Sequence, residues 1–218
     1  KDINIIYTNP NMSKIYFSEK LLSKAKMLEY ICTASTGTNH IDLNYCKNNK
    51  IKIISLKKEK KIIQKISSTA EHALTLIFAG LRNLYPAVKS VEKKKWDYRP
   101  FIGKQSNYLN FGIIGYGRLG MMVVKFLKPL AKNIFVYERN FKIKIKKNDK
   151  IKQVSLNFLL RNSDVISIHI HADEKNKEFI DKKKIKQLKK DVLLVNTSRG
   201  EVVNENSLIK FLKLNKNA

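Results

Sequence analysis

The chain lacks a cysteine framework, a long apolar run and any cluster of metal ligands, and each absence excludes a class of protein. Its 218 residues contain two cysteines, Cys32 and Cys46, and four histidines, and these show no metal-binding spacing. We expect the thiols to be free in a reducing compartment. No apolar run approaches the length of a membrane span, and no secretory signal precedes the strand-like run 3–7. We therefore predict a cytoplasmic protein with no metal site and no membrane partner.

Acidic residues are also scarce, since 18 of them stand against 44 lysines and arginines, for a formal charge of +26. A charge of this size is compatible with polyanion binding. The lysines are spread along the chain, however, and the interleaved aromatic and arginine pattern that favours base contacts is missing. Because lysine, asparagine and isoleucine share A/T-rich codons, a biased base composition of the genome suffices to explain the abundance of lysine. We expect a solvated lysine-rich surface without a specific nucleic-acid partner, and polyanion binding stays open as the alternative.

Short apolar runs alternate with amphipathic segments, and this alternation predicts an α/β fold with parallel sheets. The first part of the chain has three predicted strands and two helices between them, in the order 3–7, 18–27, 30–34, 41–47 and 51–55. A capping box from Ser68 to Glu71 predicts a long helix that reaches about Leu84. Pro86 and Pro100 then indicate a looser region, anchored by the packing of Trp96 and Tyr98. We place a domain boundary near residue 100.

The second part repeats the alternation and predicts a doubly wound sheet. Its strands are predicted at 111–114, 134–137, 165–170 and 192–195, and its helices after Gly117 and at 154–160, 183–188 and 207–214. Asn204 is the predicted N-cap of the last helix, and 142–152 is predicted as a charged loop. This order is typical of a Rossmann sheet, whose ligand lies beyond the carboxyl ends of the strands.

A G-x-G-x-x-G motif, formed by Gly115, Gly117 and Gly120, lies between the strand 111–114 and the following helix. The first glycine permits the tight turn, the second lets a pyrophosphate approach the backbone, and the third lets helix and strand pack closely. The N–H groups at the helix start face the anion. Glu138 ends the next apolar run, as a dinucleotide site requires. The alternative is a glycine-rich turn in another kind of α/β unit.

Several stretches together resemble the D-isomer-specific 2-hydroxyacid dehydrogenases. They are STGTNHID at 35–42, TAEH at 69–72, GIIGYGRLG at 112–120, SDVISIH at 163–169 and VNTSRG at 195–200. The last is the most specific, and the match covers nearly the whole chain. The resemblance implies a flavodoxin-like substrate domain at 1–100, an NAD-binding Rossmann domain at 101–218, and an active site in the cleft between them. The resemblance also implies a reaction in which hydride passes between the nicotinamide and C2 of a D-2-hydroxy acid or 2-oxo acid.

The resemblance also assigns the residues that would hold the substrate. Arg199 matches the catalytic arginine that pairs with the substrate carboxylate and polarises the carbonyl oxygen, for which a planar and permanently charged guanidinium is suited. Ser35, Thr36 and Gly37 match the loop whose backbone amides receive the carboxylate, with an ordinary glycine turn as the alternative. We interpret the neighbouring His40 as structural.

The cofactor residues follow from the same matches. Arg118 and Leu119 match residues that contact the pyrophosphate, after the three glycines of the motif. Glu138 matches the acid on the adenosine ribose, where a carboxylate would repel a 2′-phosphate and favour NAD over NADP. Arg139 beside it weakens that preference.

At the nicotinamide end, Thr197 and Ser198 are expected near the ribose. Thr69 is expected to face the cofactor, although its place in the capping box also explains it. His169 is expected to make a supporting contact from the end of its strand. We attribute His72 to packing.

The family pattern also predicts what this chain does not contain. The catalytic histidine and its partner glutamate follow the arginine in later loops, so we expect neither before Ala218, and we interpret the chain as a truncated copy with both domains incomplete at the C-terminal end. General acid–base catalysis contributes about 10²–10⁴-fold, so we expect the chain as it stands to be nearly inactive. Thr33 stands where phosphoglycerate-oxidising members carry a basic residue, which disfavours a phosphorylated substrate.

Two further expectations concern role and assembly. A non-catalytic NAD-sensing corepressor or scaffold of the same fold is the alternative function, because fold alone does not fix function. Relatives dimerise through the cofactor domain, so we expect a homodimer for the complete protein.

Overall fold

The computed structural model describes residues 2–10, 15–140, 142–145 and 149–215, and the chain divides into two compact units, 1–66 and 67–218. The first unit is a three-stranded parallel sheet in the order β1-β2-β3. Its elements are β1 Ile5–Thr8, α1 Glu19–Leu22, β2 Tyr30–Thr33, α2 Leu43–Asn48, β3 Lys52–Ser55 and α3 Lys60–Ile63. Ile31 on β2 is fully buried at the centre of its core.

Helix α1 is shorter than the sequence predicts, whereas α2 begins at a well-formed cap. The Ser23 hydroxyl donates to the Lys20 carbonyl as α1 ends, and such a side-chain bond competes with helix continuation. The Asp42 carboxylate accepts the Tyr45 N–H at 2.9 Å and satisfies a donor of the first turn of α2.

The second unit is a five-stranded parallel sheet in the order β6-β5-β4-β7-β8. Its strands are β4 Asn110–Ile114, β5 Asn133–Tyr137, β6 Ile151–Gln153, β7 Val165–Ile168 and β8 Leu193–Asn196. Its helices are α4 Ser68–Leu81, α5 Leu84–Glu92, α6 Arg118–Leu127, α7 Leu156–Asn162, α8 Lys182–Ile185 and α9 Glu205–Leu214. From β4 the chain adds β5 and β6 on one side, and it then returns to add β7 and β8 on the other side of β4. This strand order, with its reversal between β4 and β7, is that of a Rossmann sheet and confirms the predicted fold class. This reversal opens the crevice in which such sheets bind ligands.

Apolar side chains cover both faces of this sheet. Helices α4 and α6 pack on one face, where Ile77, Phe111 and Leu127 are fully buried or nearly so. Helices α7, α8 and α9 pack on the other, around Leu159 and Ile166. Parallel sheets need this cover because both of their faces are apolar.

Helix α4 belongs to the second unit by its packing. Ala70, Ala73 and Ile77 are completely buried in the core that α4 shares with α6, so the compact units divide between Ile66 and Ser67. The boundary near residue 100, as a division between substrate and cofactor functions, stays a prediction.

The predicted start of α4 is wrong in detail. Ser67, not Ser68, is the N-cap, and its hydroxyl donates to the Glu71 carboxylate rather than accepting a backbone N–H. The capping box at Ser68 to Glu71 is therefore not formed.

The looser region predicted after Leu84 is helical at its start. Pro86 lies in the first turn of α5, where the missing N–H of a proline costs nothing. The expected packing of Trp96 and Tyr98 is also wrong, since they are 93% and 78% exposed.

The remaining elements follow the sequence closely. Asn204 caps α9 as predicted, accepting the Ser207 N–H at 2.9 Å. The predicted charged loop 142–152 ends in β6, and its residues 146–148 lie outside the described residues. None of the helices in the described part of the chain has the length and apolar character needed to cross a membrane.

Candidate active site

The turn between β4 and α6 gives each glycine of the motif a separate role. Gly115 has φ +94°, and a Cβ there would lie 2.8 Å from the His169 carbonyl oxygen, so a side chain is excluded twice. A Cβ on Gly120 would overlap the Gly115 carbonyl oxygen, because α6 begins directly against the turn. A Cβ on Gly117 would meet nothing within 4 Å.

Gly117 is the informative position. Its φ of −71° suits any residue, so neither backbone conformation nor packing requires glycine there. The bare backbone faces open space at the N-terminus of α6, where the first helical N–H groups and the helix dipole favour an anion. The turn therefore fits a dinucleotide pyrophosphate, and Arg118 and Leu119 lie at the helix start as predicted.

Glu138 is bound to the glycine turn. One carboxylate oxygen accepts the Tyr116 N–H at 3.0 Å, and the other accepts the Asn140 N–H at 2.9 Å. A carboxylate offers about four acceptor positions, so each oxygen keeps one for a ribose hydroxyl. The contact fixes the acid at the carboxyl end of β5, beside the turn.

His169 follows β7, on the other side of the reversal point, and its carbonyl lies against Gly115. Its Nε2 is 2.9 Å from the Ser167 hydroxyl, and its Nδ1 is buried without a hydrogen-bond partner among the described residues. Burial lowers the pKa of His169 to about 4, so the imidazole is neutral near pH 7. It can orient neighbours but does not carry a positive charge toward a ligand.

A cavity of about 640 Å³ within the second unit brings four of the predicted site residues together. Thr69 from α4 lines it opposite Thr197, Ser198 and Arg199, which follow β8. The remaining lining residues are Ser68, His72, Leu76, Asn196 and Gly200. The side chain of Arg199 is exposed to this space, which therefore holds a guanidinium and several hydroxyl groups.

Asn196 holds the arginine loop in shape. Its amide oxygen accepts both the N–H and the hydroxyl of Ser198, at 3.0 and 2.7 Å, and its amide nitrogen donates to the Arg199 carbonyl at 2.8 Å. The Arg199 guanidinium in turn donates to the Ser198 carbonyl at 2.8 Å. One side chain thus closes the turn that presents Arg199.

Thr197 carries a polar atom with an open role. Its Oγ1 is buried and has no hydrogen-bond partner among the described residues. Buried hydroxyls are usually paired, so this atom is suited to a ligand group that enters the cavity.

The predicted substrate loop lies in the first unit, at the carboxyl end of β2. Within the described residues, the amide N–H groups of Ser35, Thr36 and Gly37 donate no hydrogen bond, whereas the Ser35 hydroxyl donates to the Gly37 carbonyl at 2.6 Å. Successive free amides can form an anion-binding concavity where they converge. The assignment of this loop to the substrate carboxylate stays a prediction.

Sequence reasoning missed two residues of the site. His72, which the sequence predicts to be a packing residue, is exposed and lines the cavity with Arg199. Its position one residue after Glu71, on the outward face of α4, was the available signal. Asn196 lies inside the most specific block, but its bonds to Ser198 and Arg199 depend on the folded turn.

The family follows from comparison with known proteins. Residues 74–218 match the family model described as D-isomer specific 2-hydroxyacid dehydrogenase, NAD binding domain. The chain belongs to this family. The matched residues make up most of the second unit, which accordingly corresponds to the NAD-binding domain of this family.

Individual relatives agree with the family model. The D-3-phosphoglycerate dehydrogenase of Archaeoglobus fulgidus is 31% identical over 197 residues, which are 90% of this chain and 36% of that protein. The glyoxylate reductase of Thermococcus litoralis is 31% identical over 202 residues, 89% of this chain and 60% of that protein. The D-lactate dehydrogenase of Aquifex aeolicus, solved with NAD and lactic acid, superposes with a TM-score of 0.80 at 29% sequence identity. The superposition covers 98% of this chain and 62% of that enzyme's chain. The chain therefore spans less than two thirds of the length of these relatives.

Proposed function

We propose that the protein is an NAD-dependent oxidoreductase that transfers a hydride between nicotinamide and C2 of a D-2-hydroxy acid or 2-oxo acid. The observation that carries the proposal is the cavity in which Arg199 faces Thr69, Thr197 and Ser198. The same unit contains the open glycine turn at Gly117. One unit thus offers a dinucleotide cradle and a fixed cation for a substrate.

Each site residue has a definable task in this reaction. NAD, when bound, supplies the group that accepts or donates the hydride. The Gly117 backbone and the start of α6 would hold its pyrophosphate, and Glu138 would accept bonds from the adenosine ribose hydroxyls. The buried Thr197 hydroxyl is available to the nicotinamide end of the cofactor. Neutral His169, which directly follows the carboxyl end of β7, would support the cofactor from there.

Arg199 would act on the substrate. Its guanidinium can pair with the carboxylate and, through its permanent charge, stabilise the negative charge that develops on the substrate oxygen. Asn196 contributes by holding the loop, so that the cation needs little reorganisation. The free amides of Ser35, Thr36 and Gly37 would receive the substrate carboxylate.

The alternative is a binding module of the same fold, a corepressor or scaffold, that senses NAD without turnover. Among the described residues that line the cavity, His72 is the one histidine and there is no carboxylate. Glu71 is bonded to the Ser67 hydroxyl instead. The described lining of the cavity thus holds no histidine–carboxylate pair for proton transfer, and we propose that turnover by these residues alone is slow.

We also propose that the protein is a cytoplasmic homodimer. Helix α5 exposes Leu84, Val88 and Val91 on one face, each about half exposed, and Trp96 and Tyr98 after the helix are exposed as well. A second copy would cover this face in a symmetric interface, the commonest arrangement of soluble oligomers. Sedimentation should show a dimer that Val88→Lys weakens; a monomeric wild type would contradict this.

The function is tested by calorimetric titration of NADH, followed by spectrophotometric measurement of NADH oxidation with pyruvate, glyoxylate and hydroxypyruvate. NADH binding with slow or rapid turnover supports the oxidoreductase. Binding without any turnover, in a protein that also contains the family's histidine and glutamate, supports the sensing module. Absence of NADH binding contradicts both.

A further inference from the structure

A short chain of hydrogen bonds runs beneath the predicted substrate loop in the first unit. His40 Nε2 lies 3.3 Å from the Thr33 hydroxyl, which lies 3.0 Å from the Ser35 hydroxyl. The Ser35 hydroxyl donates to the Gly37 carbonyl at 2.6 Å. Thr33 is only 5% exposed, so its hydroxyl depends on these partners. His40, interpreted from the sequence as structural, begins the chain.

The direction of the protons follows from counting hydrogens. Ser35 has one hydroxyl hydrogen, and it is used toward Gly37, so Ser35 must accept from Thr33. Thr33 has then used its own hydrogen and must accept from His40. The imidazole is therefore protonated on Nε2, and reversal of that tautomer would leave Thr33 and Ser35 facing each other without a hydrogen between them.

The packing around His40 holds the ring in place. Its carbonyl accepts the Phe17 N–H at 2.8 Å, and the Phe17 ring meets the imidazole edge to face at 6.4 Å. Burial lowers the pKa of His40, which favours the neutral ring. A half-buried neutral imidazole in a fixed orientation is a directional donor.

We propose that His40 is a positioning residue whose Nε2–H, acting through Thr33 and Ser35, holds the Gly37 carbonyl and so keeps the Thr36 and Gly37 amides directed toward a substrate carboxylate. The inference rests on the proposed function of this loop. The bond from Ser35 to Gly37 closes a small ring that contains both intervening peptide groups. Loss of the donor at His40 frees the Thr33 hydroxyl to turn away, and Ser35 can then leave Gly37.

The test uses ¹H–¹⁵N NMR of the full chain, with sodium pyruvate as the probe and sodium chloride at matched ionic strength as the control for general anion binding by lysines. In His40→Gln, the amide nitrogen replaces Nε2 as donor, whereas His40→Leu removes it. Thr33→Ser and Thr33→Val form a second matched pair. We expect wild type, His40→Gln and Thr33→Ser to show the same pyruvate-dependent shifts at Thr36 and Gly37. His40→Leu and Thr33→Val should bind pyruvate about fivefold more weakly.

The protonation of the His40 imidazole can also be measured directly in the wild type, without any substitution. In the wild type, the ¹⁵N shifts of His40 should show the hydrogen on Nε2, and a hydrogen on Nδ1 overturns the inference. Equal pyruvate affinity in wild type, His40→Leu and Thr33→Val also overturns it, while the proposed function survives. If pyruvate shifts neither amide in the wild type, the proposed function of the loop fails and this inference fails with it.

Discussion

The burial of His169 predicts a specific dependence of stability on pH. The pKa of this histidine is lowered from 6.5 to about 4 in the folded chain because burial disfavours the charged imidazole. As the pH falls below about 6.5, the unfolded chain takes up a proton that the folded chain refuses. The free energy of unfolding therefore decreases from pH 7 toward pH 4, and below pH 4 the folded chain is protonated as well.

The magnitude follows from the size of the shift. A difference of about 2.5 pKa units at about 1.4 kcal/mol each amounts to roughly 3 kcal/mol. That is a sizeable fraction of the stability of a typical domain. The loss should be complete near pH 4 and absent above pH 7.

The assay compares wild type with His169→Gln in urea unfolding between pH 7 and pH 4. Gln keeps a polar group near the Ser167 hydroxyl but does not titrate. The comparison is needed because four aspartates, each with a pKa lowered mainly by a lysine or arginine partner, also lose stabilisation as the pH falls; they are Asp97, Asp149, Asp181 and Asp191. The wild type should lose roughly 3 kcal/mol more than the variant. Parallel curves, or an NMR titration that places His169 near 6.5, would refute the reasoning.

Three further predictions concern the site. Gly120→Ala should lower stability by about 1–3 kcal/mol in thermal unfolding, because the new Cβ overlaps the Gly115 carbonyl; an unchanged Tm would contradict the packing. Glu138→Gln should weaken NADH binding about tenfold in calorimetry and reduce the preference over NADPH, since a charged acceptor is lost; unchanged selectivity would contradict its role. Arg199→Ala should keep NADH affinity nearly unchanged but weaken pyruvate binding to the NADH complex about tenfold or more, and equal loss of both would place the arginine elsewhere.

The second sheet could be predicted well because its signals are local. The spacing of Gly115, Gly117 and Gly120 after an apolar run is required by one kind of turn, and that turn determines where β4 ends and where α6 begins. Asn204 could be assigned because an N-cap acts within its own helical turn. The block at 195–200 indicated the cavity loop because it is the most specific stretch of the family resemblance, and it spans the end of β8 and the turn that follows.

The remaining features depend on contacts that the sequence does not encode locally. Ser68 satisfies the capping-box pattern with Glu71, but α4 of the folded chain has Ser67 as its N-cap, and the Ser67 hydroxyl donates to the Glu71 carboxylate. Pro86 indicates a loop in one register and a first helical turn in another. The roles of His72 and Asn196 appear only when α4 and the end of β8 line the same cavity.

Comparison of NADH binding by wild type and Gly117→Val tests most directly whether the bare backbone at Gly117 receives the cofactor pyrophosphate. The added side chain enters open space in the folded chain, so the variant should unfold at nearly the same temperature as the wild type. We predict that the wild type binds NADH in a calorimetric titration and that the equally stable variant does not. Equal binding by both proteins, or no binding by the wild type, would contradict the account.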